Sequence, residues 1–199
     1  MSDSLRLNIG AGVTFIPGFV NIDIASCADV QIDIGKDQLP FDDNSVDLVF
    51  SHHTLEHVPE YLFALGEIYR VLKHGGHLLL GVPYVTLTEY NLVNPYHKNH
   101  FNEYSFDFFD PARLKGSAAE ENSITLKKVF HRFHYMDEFR SVSEPKRTWY
   151  RRHLFNVVRE IDFGLVAIKD HKKALSWTKA DEAKMLENFD LCLRSRKLY

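Results

Sequence analysis

Residues 5–24 read LRLNIGAGVTFIPGFVNIDI, and the fold prediction starts from this stretch. Two short apolar runs, Leu5–Ile9 and Phe19–Ile24, lie on either side of a glycine turn. Each run has the length and the branched side chains of a buried strand. Glycine at positions 10 and 12 allows a sharp turn and a close approach to a ligand, because glycine has no Cβ. The stretch therefore predicts a strand, a ligand-binding turn and a second strand.

The rest of the chain continues to alternate short apolar runs with helical segments, which indicates a sheet covered by helices. Further strands are predicted at Val30–Ile34, Val46–Ser51, His77–Val82, Ser123–Tyr135 and Phe163–Lys169. Helices are predicted at Pro59–Leu72 (ended by Gly75 and Gly76), at Ser105–Leu114, at Thr148–Glu160 and after Thr178, which would form an N-cap with Asp181. Residues 84–104 have no clear period and predict a long loop. The predicted fold class is α/β, with a seven-stranded, mostly parallel sheet and helices on both faces.

Length and composition limit the class of protein further. A chain of 199 residues is long enough for a single domain, 1–199, which we divide into a cofactor-binding half, 1–83, and an acceptor-side half, 84–199. The net charge of −3 argues against duplex nucleic acid as a partner. Cys27 and Cys192 are far apart, and no apolar run reaches the ~20 residues that span a bilayer. These features predict a reduced, cytoplasmic protein without a membrane span.

Small and acidic residues follow the predicted strands at their carboxyl ends, where open parallel sheets bind ligands. Asp23 ends the second strand, where a carboxylate can accept both hydroxyls of a ribose, and Asp33 ends the third, where it can accept the amine of adenine. Ser51 and His52 end the fourth strand beside the same crevice. Each aspartate alone could equally be a strand-end cap. The segment GAGVTFIPGF lacks the third glycine of a pyrophosphate-binding turn, so an adenosine-containing cofactor without phosphates is favoured.

Three further motifs, LPFDDNSVD (39–47), LEHV (55–58) and RVLKHGG (70–76), complete a pattern that covers residues 5–83. The pattern resembles the class I S-adenosylmethionine-dependent methyltransferases, and most closely a compact branch found with surface-polysaccharide biosynthesis genes. The resemblance implies a Rossmann-like fold, S-adenosylmethionine as cofactor and S-adenosylhomocysteine as product. It implies the following cofactor contacts: Gly10, Ala11 and Gly12 at the methionine part, Asp23 with Ile24 at the ribose, Asp33 and Ile34 at the adenine, and Ser51 and His52 beside the sulfonium.

One departure from this family concerns the first helix. Only residues 13–18 separate the glycine turn from the second strand, and a single helical turn already uses ~3.6 residues. The first helix is therefore predicted to be shortened or absent. Either a downstream segment, such as the C-terminal helix, or a partner subunit would have to cover this face, and a homodimer is one expectation.

Histidines are the candidate catalytic residues, because an imidazole can remove the proton of a hydroxyl acceptor near neutral pH. His53 follows the fourth strand and could lie in the cleft or on the surface. His97 and His100 lie in NPYHKNHF, which resembles the region that relatives place over the acceptor, although a role in loop structure stays open. His57 is interpreted as a structural hydrogen-bonding residue. The acceptor is predicted to be a small molecule or a glycan, and the reaction an O-methyl transfer.

Two other features leave alternatives open. The spacing of His97 with His100, and of His131 with His134, is a poor metal-ligand pattern outside a helix, so no metal is predicted. The basic stretch Glu144–His153 indicates either an anionic acceptor or a solvated helix start. A non-catalytic binding or assembly protein, and a nucleotide-sugar-modifying enzyme on the same fold, are the alternative functions.

Overall fold

The computed structural model describes residues 4–110, 113, 123–170 and 175–199. Its strands are β1 Arg6–Ile9, β2 Thr14–Phe15, β3 Val20–Asp23, β4 Val30–Gln31, β5 Val46–His52, β6 Leu72–Pro83, β7 Leu126–Tyr135, β8 Val158–Ala167 and β9 Lys197–Leu198. Its α-helices are α1 Tyr61–Val71, α2 Glu144–His153 and α3 Lys179–Arg194. No helix among these residues is long and apolar enough to cross a membrane.

Seven of the strands form one sheet in the order β4-β3-β1-β5-β6-β8-β7. The first five are parallel to one another, whereas β8 runs antiparallel to both β6 and β7. The predicted α/β class with a mostly parallel, seven-stranded sheet is therefore confirmed. Neighbouring residues on a strand are buried on opposite faces: Val49 packs in the core under α1, and Phe50 packs in the core under α3.

The end of α1 differs from the prediction. The helix ends at Val71 rather than at the glycine pair, because Leu72 already pairs with Val46 at the start of β6. Lys73 forms an ion pair with Asp47, 2.7 Å away, instead of capping the helix. At the other end of the chain the capping prediction is confirmed, since the Thr178 and Asp181 side chains each accept the other's backbone N–H.

The predicted helix Thr148–Glu160 is wrong in its second half. The helix α2 ends at His153, and Asn156 adopts a left-handed conformation with φ of 59°. The Asn156 side chain accepts hydrogen bonds from the backbone and the hydroxyl of Thr88, which fixes this turn. The branched residues that follow are fully buried and begin β8, so burial in the sheet overrides the helical pattern.

Two other predicted elements, a strand and a helix, are shorter in the structure than predicted. The third predicted strand is only the two-residue β4, because residues 33–37 form a backbone turn. The predicted helix Ser105–Leu114 falls partly outside the described residues, and within them only one 3-10 turn, Asp107–Phe109, is present.

The segment between the glycine turn and β3 forms no helix and contains the two-residue strand β2. This strand pairs with β9, next to the C-terminal end of α3. Ile16 packs with Phe189 and Cys192 of α3 in one buried cluster. The C-terminal helix and strand of the same chain thus cover the face that lacks its first helix.

Candidate active site

The glycine turn after β1 forms the floor of a cleft. Gly10 and Gly12 adopt φ of 75° and 61°, a left-handed conformation that residues with a Cβ rarely take. The N–H groups of Gly10 and Ala11 both donate to the carbonyl of Ile22, which ties the turn to β3. A Cβ on Gly10 would lie 1.8 Å from Thr54 Oγ1, whereas a Cβ on Gly12 would meet nothing within 4 Å. The backbone at Gly12 is therefore open to a ligand.

Two carboxylates stand at the rim of this cleft. Asp23 accepts hydrogen bonds from the N–H of Gly12 at 2.8 Å and from the N–H of Ala25 at 2.9 Å. Asp33 lies 2.6 Å from the ammonium of Lys36 and accepts the N–H of Gly35. The hydrogen bond from Lys36 lowers the pKa of Asp33. Each carboxylate oxygen keeps a lone pair that a hydroxyl or an amine can use.

The cleft has a volume of about 410 Å³. Its lining includes six of the nine predicted cofactor-binding residues, namely Gly10, Gly12, Asp23, Ile24, Asp33 and Ile34. The Ile24 side chain is 68% exposed beside Asp23, so it offers an apolar surface at the rim.

The other three predicted residues lie behind the cleft. Ala11 is buried, and Ser51 is fully buried with no hydrogen-bond partner for its hydroxyl among the residues described. His52 faces Glu160 and Arg196 rather than the cleft, with its imidazole 3.1 Å from a Glu160 oxygen. His53, Thr54 and His57 complete the lining on that side.

His53 lies between two carboxylates. Its Nε2 is 2.8 Å from Glu160 Oε2, and its Nδ1 is 3.3 Å from Glu56 Oε1. Burial alone would lower the pKa of His53, but the hydrogen bonds to Glu160 and Glu56 outweigh it and raise the pKa to about 9. For Glu160, burial acts to raise the pKa, and the hydrogen bonds to His52 and His53 outweigh it and lower the pKa well below the ordinary value. At neutral pH the site therefore presents an imidazolium between carboxylates.

A second cavity of about 430 Å³ lies next to the cleft and shares His53 and His57 with it. Its remaining lining comes from the turn after β5, the end of β6, the loop that follows β6 and the start of β8: Glu56, Pro83, Leu87, Tyr90, Asn94, His97, Arg159 and Glu160. A molecule in this cavity would thus lie next to the first cleft, with His53 and His57 at the border.

The three predicted catalytic histidines have different positions. His53 lines both cavities, and His97 lines the second. The imidazole rings of His97 and His57 meet edge to face, with their centroids 4.5 Å apart. Burial, and after it the neighbouring His57 imidazole, lowers the pKa of His97. His100 is exposed and lines neither cavity.

Glu56, Asn91 and Glu160 belong to this site and were not predicted. Glu160 was assigned to the end of a helix, whereas it pairs in register with Pro83 at the start of the antiparallel strand β8. The beginning of an antiparallel strand lies at the same edge as the carboxyl ends of its parallel neighbours. A correct strand boundary near Val158 would therefore have placed Glu160 at the site.

In the basic stretch of α2, Arg147 and Arg151 form ion pairs, whereas Lys146 and Arg152 are exposed. Arg151 is buried and forms an ion pair with Glu103, and its guanidinium lies 4.2 Å from the centre of the Phe133 ring. Arg147 pairs with Glu144. The cationic side chain that lines the second cavity is instead Arg159.

Comparison with known proteins shows that this chain is similar to methyltransferases. Residues 17–80 match a family model described as a methyltransferase domain. Demethylmenaquinone methyltransferase from Staphylococcus aureus is 33% identical over 147 residues, which are 72% of this chain and 55% of the relative. The enzyme of the same name from Staphylococcus epidermidis is 51% identical over 53 residues, 26% of this chain and 22% of that protein. This chain thus spans about half or less of the curated relatives that it matches.

Solved structures of methyltransferases have a fold similar to that of this chain. A SAM-dependent methyltransferase from Archaeoglobus fulgidus matches with a TM-score of 0.54 and 16% identity, over 83% of this chain and 86% of that one. The YcgJ protein from Bacillus subtilis matches with a TM-score of 0.53 and 15% identity, over 84% and 93%. The fold is the Rossmann-like class I methyltransferase fold, as predicted, with its first helix absent.

Proposed function

We propose that the protein is an S-adenosylmethionine-dependent methyltransferase acting on a small hydroxylated acceptor. The observation that carries the proposal is the pair of adjoining cavities, which share His53 and His57 at the carboxyl edge of the sheet. One cavity has the donors and acceptors for a nucleoside, and the other is open to a second molecule. Transfer between two bound molecules requires this adjacency.

The first cleft fits the cofactor. The open space beside the Gly12 backbone admits the methionine part, the Asp23 carboxylate suits the ribose hydroxyls, and Asp33 suits the adenine amine. The exposed Ile24 side chain and Ile34 offer apolar contacts for the adenine ring. When bound, the cofactor supplies an electrophilic methyl group on a sulfonium. The protein's part is to hold the acceptor oxygen in line with it.

The second cavity is assigned to the acceptor. Its volume of about 430 Å³ suits a small molecule or one sugar unit of a glycan. Glu160 can accept a hydrogen bond from an acceptor hydroxyl, and protonated His53 keeps that carboxylate ionised and oriented. Arg159 provides a positive charge for an anionic group on the acceptor. O-methyl transfer to such a hydroxyl is the reaction that this set favours.

The class of acceptor rests on sequence alone. Resemblance to the compact branch supports a surface-glycan precursor, and the staphylococcal relatives are by their names enzymes of demethylmenaquinone, also a small molecule. A cytoplasmic location, a single domain and a homodimer stay predictions. The missing first helix motivated both the homodimer and the non-catalytic alternative, and α3 with β9 fills that gap within one chain.

Calorimetry with S-adenosylmethionine and S-adenosylhomocysteine tests the cofactor assignment. Both should bind with a stoichiometry of one. Replacing Asp23 by Asn should weaken binding about 10- to 100-fold, since a hydrogen bond to a charged group contributes about 1.5–3 kcal/mol. Asp42→Asn, at an exposed position outside the cleft, should bind as the unmodified protein does.

Absence of binding by the unmodified protein would refute the enzyme proposal and favour the non-catalytic alternative. Turnover of a nucleotide-sugar without a methyl donor would favour the other alternative, a nucleotide-sugar-modifying enzyme on the same fold. For the acceptor, mass spectrometry of surface glycans with and without the protein should differ by 14 Da per methyl group, and identical spectra would exclude the glycan.

A further inference from the structure

Three side chains converge at the border between the two cavities. Glu56 and His57 belong to a 3-10 turn, Leu55–His57, that follows β5, and His97 approaches from the loop after β6. A carboxylate oxygen of Glu56 and one imidazole nitrogen of each histidine all lie within 4.8 Å of one another. Ligand atoms of a tetrahedral ion are roughly 3.4 Å apart, since each lies ~2.0–2.2 Å from the metal. The ligand atoms must therefore move closer together when an ion binds, and the half-exposed His57 side chain has room to do so.

The backbone holds the two segments together. Asn99 donates from its amide to the carbonyls of Leu55, at 2.9 Å, and Val58, at 2.7 Å. The N–H of Lys98 donates to the carbonyl of Glu56 at 2.7 Å. The loop that carries His97 is therefore fastened to the turn that carries the other two side chains, which preorganises the cluster.

Glu56 and His97 each have a ligand atom for which the described residues supply no hydrogen-bond partner. Glu56 is 1% exposed, and its Oε2 has no hydrogen-bond partner in the part of the chain that the structure describes. A buried carboxylate oxygen without a partner is costly, which indicates a ligand. Asn91 donates to the carbonyl of Tyr84, so its Oδ1 accepts the Nδ1–H of His97 at 2.9 Å. This leaves the lone pair of His97 on Nε2, as in histidines oriented to bind a metal.

We propose that Glu56, His57 and His97 bind a divalent first-row transition-metal ion, with Zn²⁺ as the reference ion. Two imidazoles and one carboxylate are a ligand set that holds such ions and leaves further coordination positions open. All three residues line the second cavity. Given the proposed function, an acceptor oxygen takes an open position, so the ion selects acceptors with a hydroxyl or carboxylate group. The ligands are neither a His-x-x-His pair nor a cysteine set, and for this reason their spacing did not reveal them.

Metal binding can be measured directly on tag-free, metal-stripped protein. Co²⁺ should bind with a stoichiometry of one and give a visible absorption band that Zn²⁺ displaces. Glu56→Gln and His97→Ala should each weaken Co²⁺ binding by about 10-fold or more, because even groups that only orient metal ligands contribute ~10- to 100-fold. His153→Ala, which removes an exposed histidine from α2, should leave the affinity unchanged.

Circular dichroism and S-adenosylmethionine binding of the same variants separate loss of fold from loss of the site. Failure of the unmodified protein to bind Co²⁺, or equal affinity in all four proteins, would overturn the metal proposal, and intact cofactor binding would then leave the proposed function standing. Conversely, metal binding without cofactor binding would refute the proposed function and keep the metal site.

Discussion

The two glycines of the turn after β1 have different reasons to be glycine. At Gly10 the backbone is left-handed and the neighbouring Thr54 side chain occupies the space of a Cβ. At Gly12 the backbone is also left-handed, but the space is empty. The first position is thus required by packing within the protein, and the second keeps open the space that we propose for the cofactor.

Alanine at each position separates these reasons. Gly10→Ala should lower the free energy of unfolding by about 2–5 kcal/mol, since left-handed strain costs ~1–2 kcal/mol and overpacking ~1–3 kcal/mol. Gly12→Ala should cost only the strain, about 1–2 kcal/mol, yet weaken S-adenosylmethionine binding because the methyl group enters the cleft. Urea denaturation and calorimetry measure the two effects. Equal stabilities of the two variants would contradict the packing argument.

Site residues could be predicted from the sequence where they lie at the carboxyl end of a parallel strand. Asp23 is the last residue of β3 and Asp33 lies two residues after β4, and both line the cleft. Glu56 and Asn91 could not be predicted in this way. They come together because the loop after β6, which carries Asn91, folds back over the turn that carries Glu56, more than 30 residues earlier in the chain. Nothing in their local sequence records that contact.

At the scale of elements, the motif LPFDDNSVD is held by one ion pair of α1. Arg70 donates to both oxygens of Glu67 and to the carbonyls of Leu39 and Phe41. Glu67 in turn accepts the N–H of Leu39 at 2.9 Å. The loop between β4 and β5 therefore takes its shape from two side chains on the neighbouring helix.

This ion pair should make stability depend on pH. The hydrogen bond from Arg70 lowers the pKa of Glu67 from the ordinary value of 4.5, so its contribution is present above pH 4.5 and is lost as the pH falls through the lower folded-state value. Glu67→Gln should cost about 1.5–3 kcal/mol at pH 7, and the difference from the unmodified protein should shrink at more acidic pH. Chemical denaturation at several pH values measures it.

An exposed glutamate on α3 serves as the control, since Glu187→Gln should change stability little at any pH. A difference for Glu67→Gln that stays constant down to strongly acidic pH would show that the carboxylate charge is not what stabilises the loop.

Helices with a clear local signal in the sequence could be predicted. The boundary at which a helix gives way to a strand could not. The apolar spacing of α1 and the Thr178–Asp181 cap are local signals, and both are present in the structure. The boundary between α2 and β8 depends on Asn156, whose left-handed turn is stabilised by Thr88 from a distant loop. A helical pattern that runs past such a turn predicts too long a helix.

At the scale of the whole molecule, α3 provides the second core. Phe189 is fully buried, meets the Phe50 ring edge to face with centroids 5.5 Å apart, and lies under the Arg132 guanidinium. Its cluster also includes Ile16, from the segment that takes the place of the first helix. Ile16 is therefore covered by a helix that begins more than 150 residues further along the chain.

Truncation of Phe189 should reveal this dependence. Phe189→Ala should lower the free energy of unfolding by about 3–5 kcal/mol, because it leaves a cavity in a closed core. Leu191→Ala, at a side chain that is 54% exposed, should change it by no more than about 0.5 kcal/mol. Thermal and urea denaturation compare the two, and similar losses would mean that α3 does not supply a core.

The pairing of β2 with β9 also bears on folding during synthesis. Thr14 accepts hydrogen bonds from Arg196, 182 positions further along the chain. Closing so long a loop is slow, and it cannot begin while residues 196–198 are still inside the ribosomal tunnel. A nascent chain that already exposes its glycine turn would therefore have Ile16 and Phe50 uncovered. For such a chain, the demand for chaperones would fall once residues 196–198 have emerged and α3 covers these side chains.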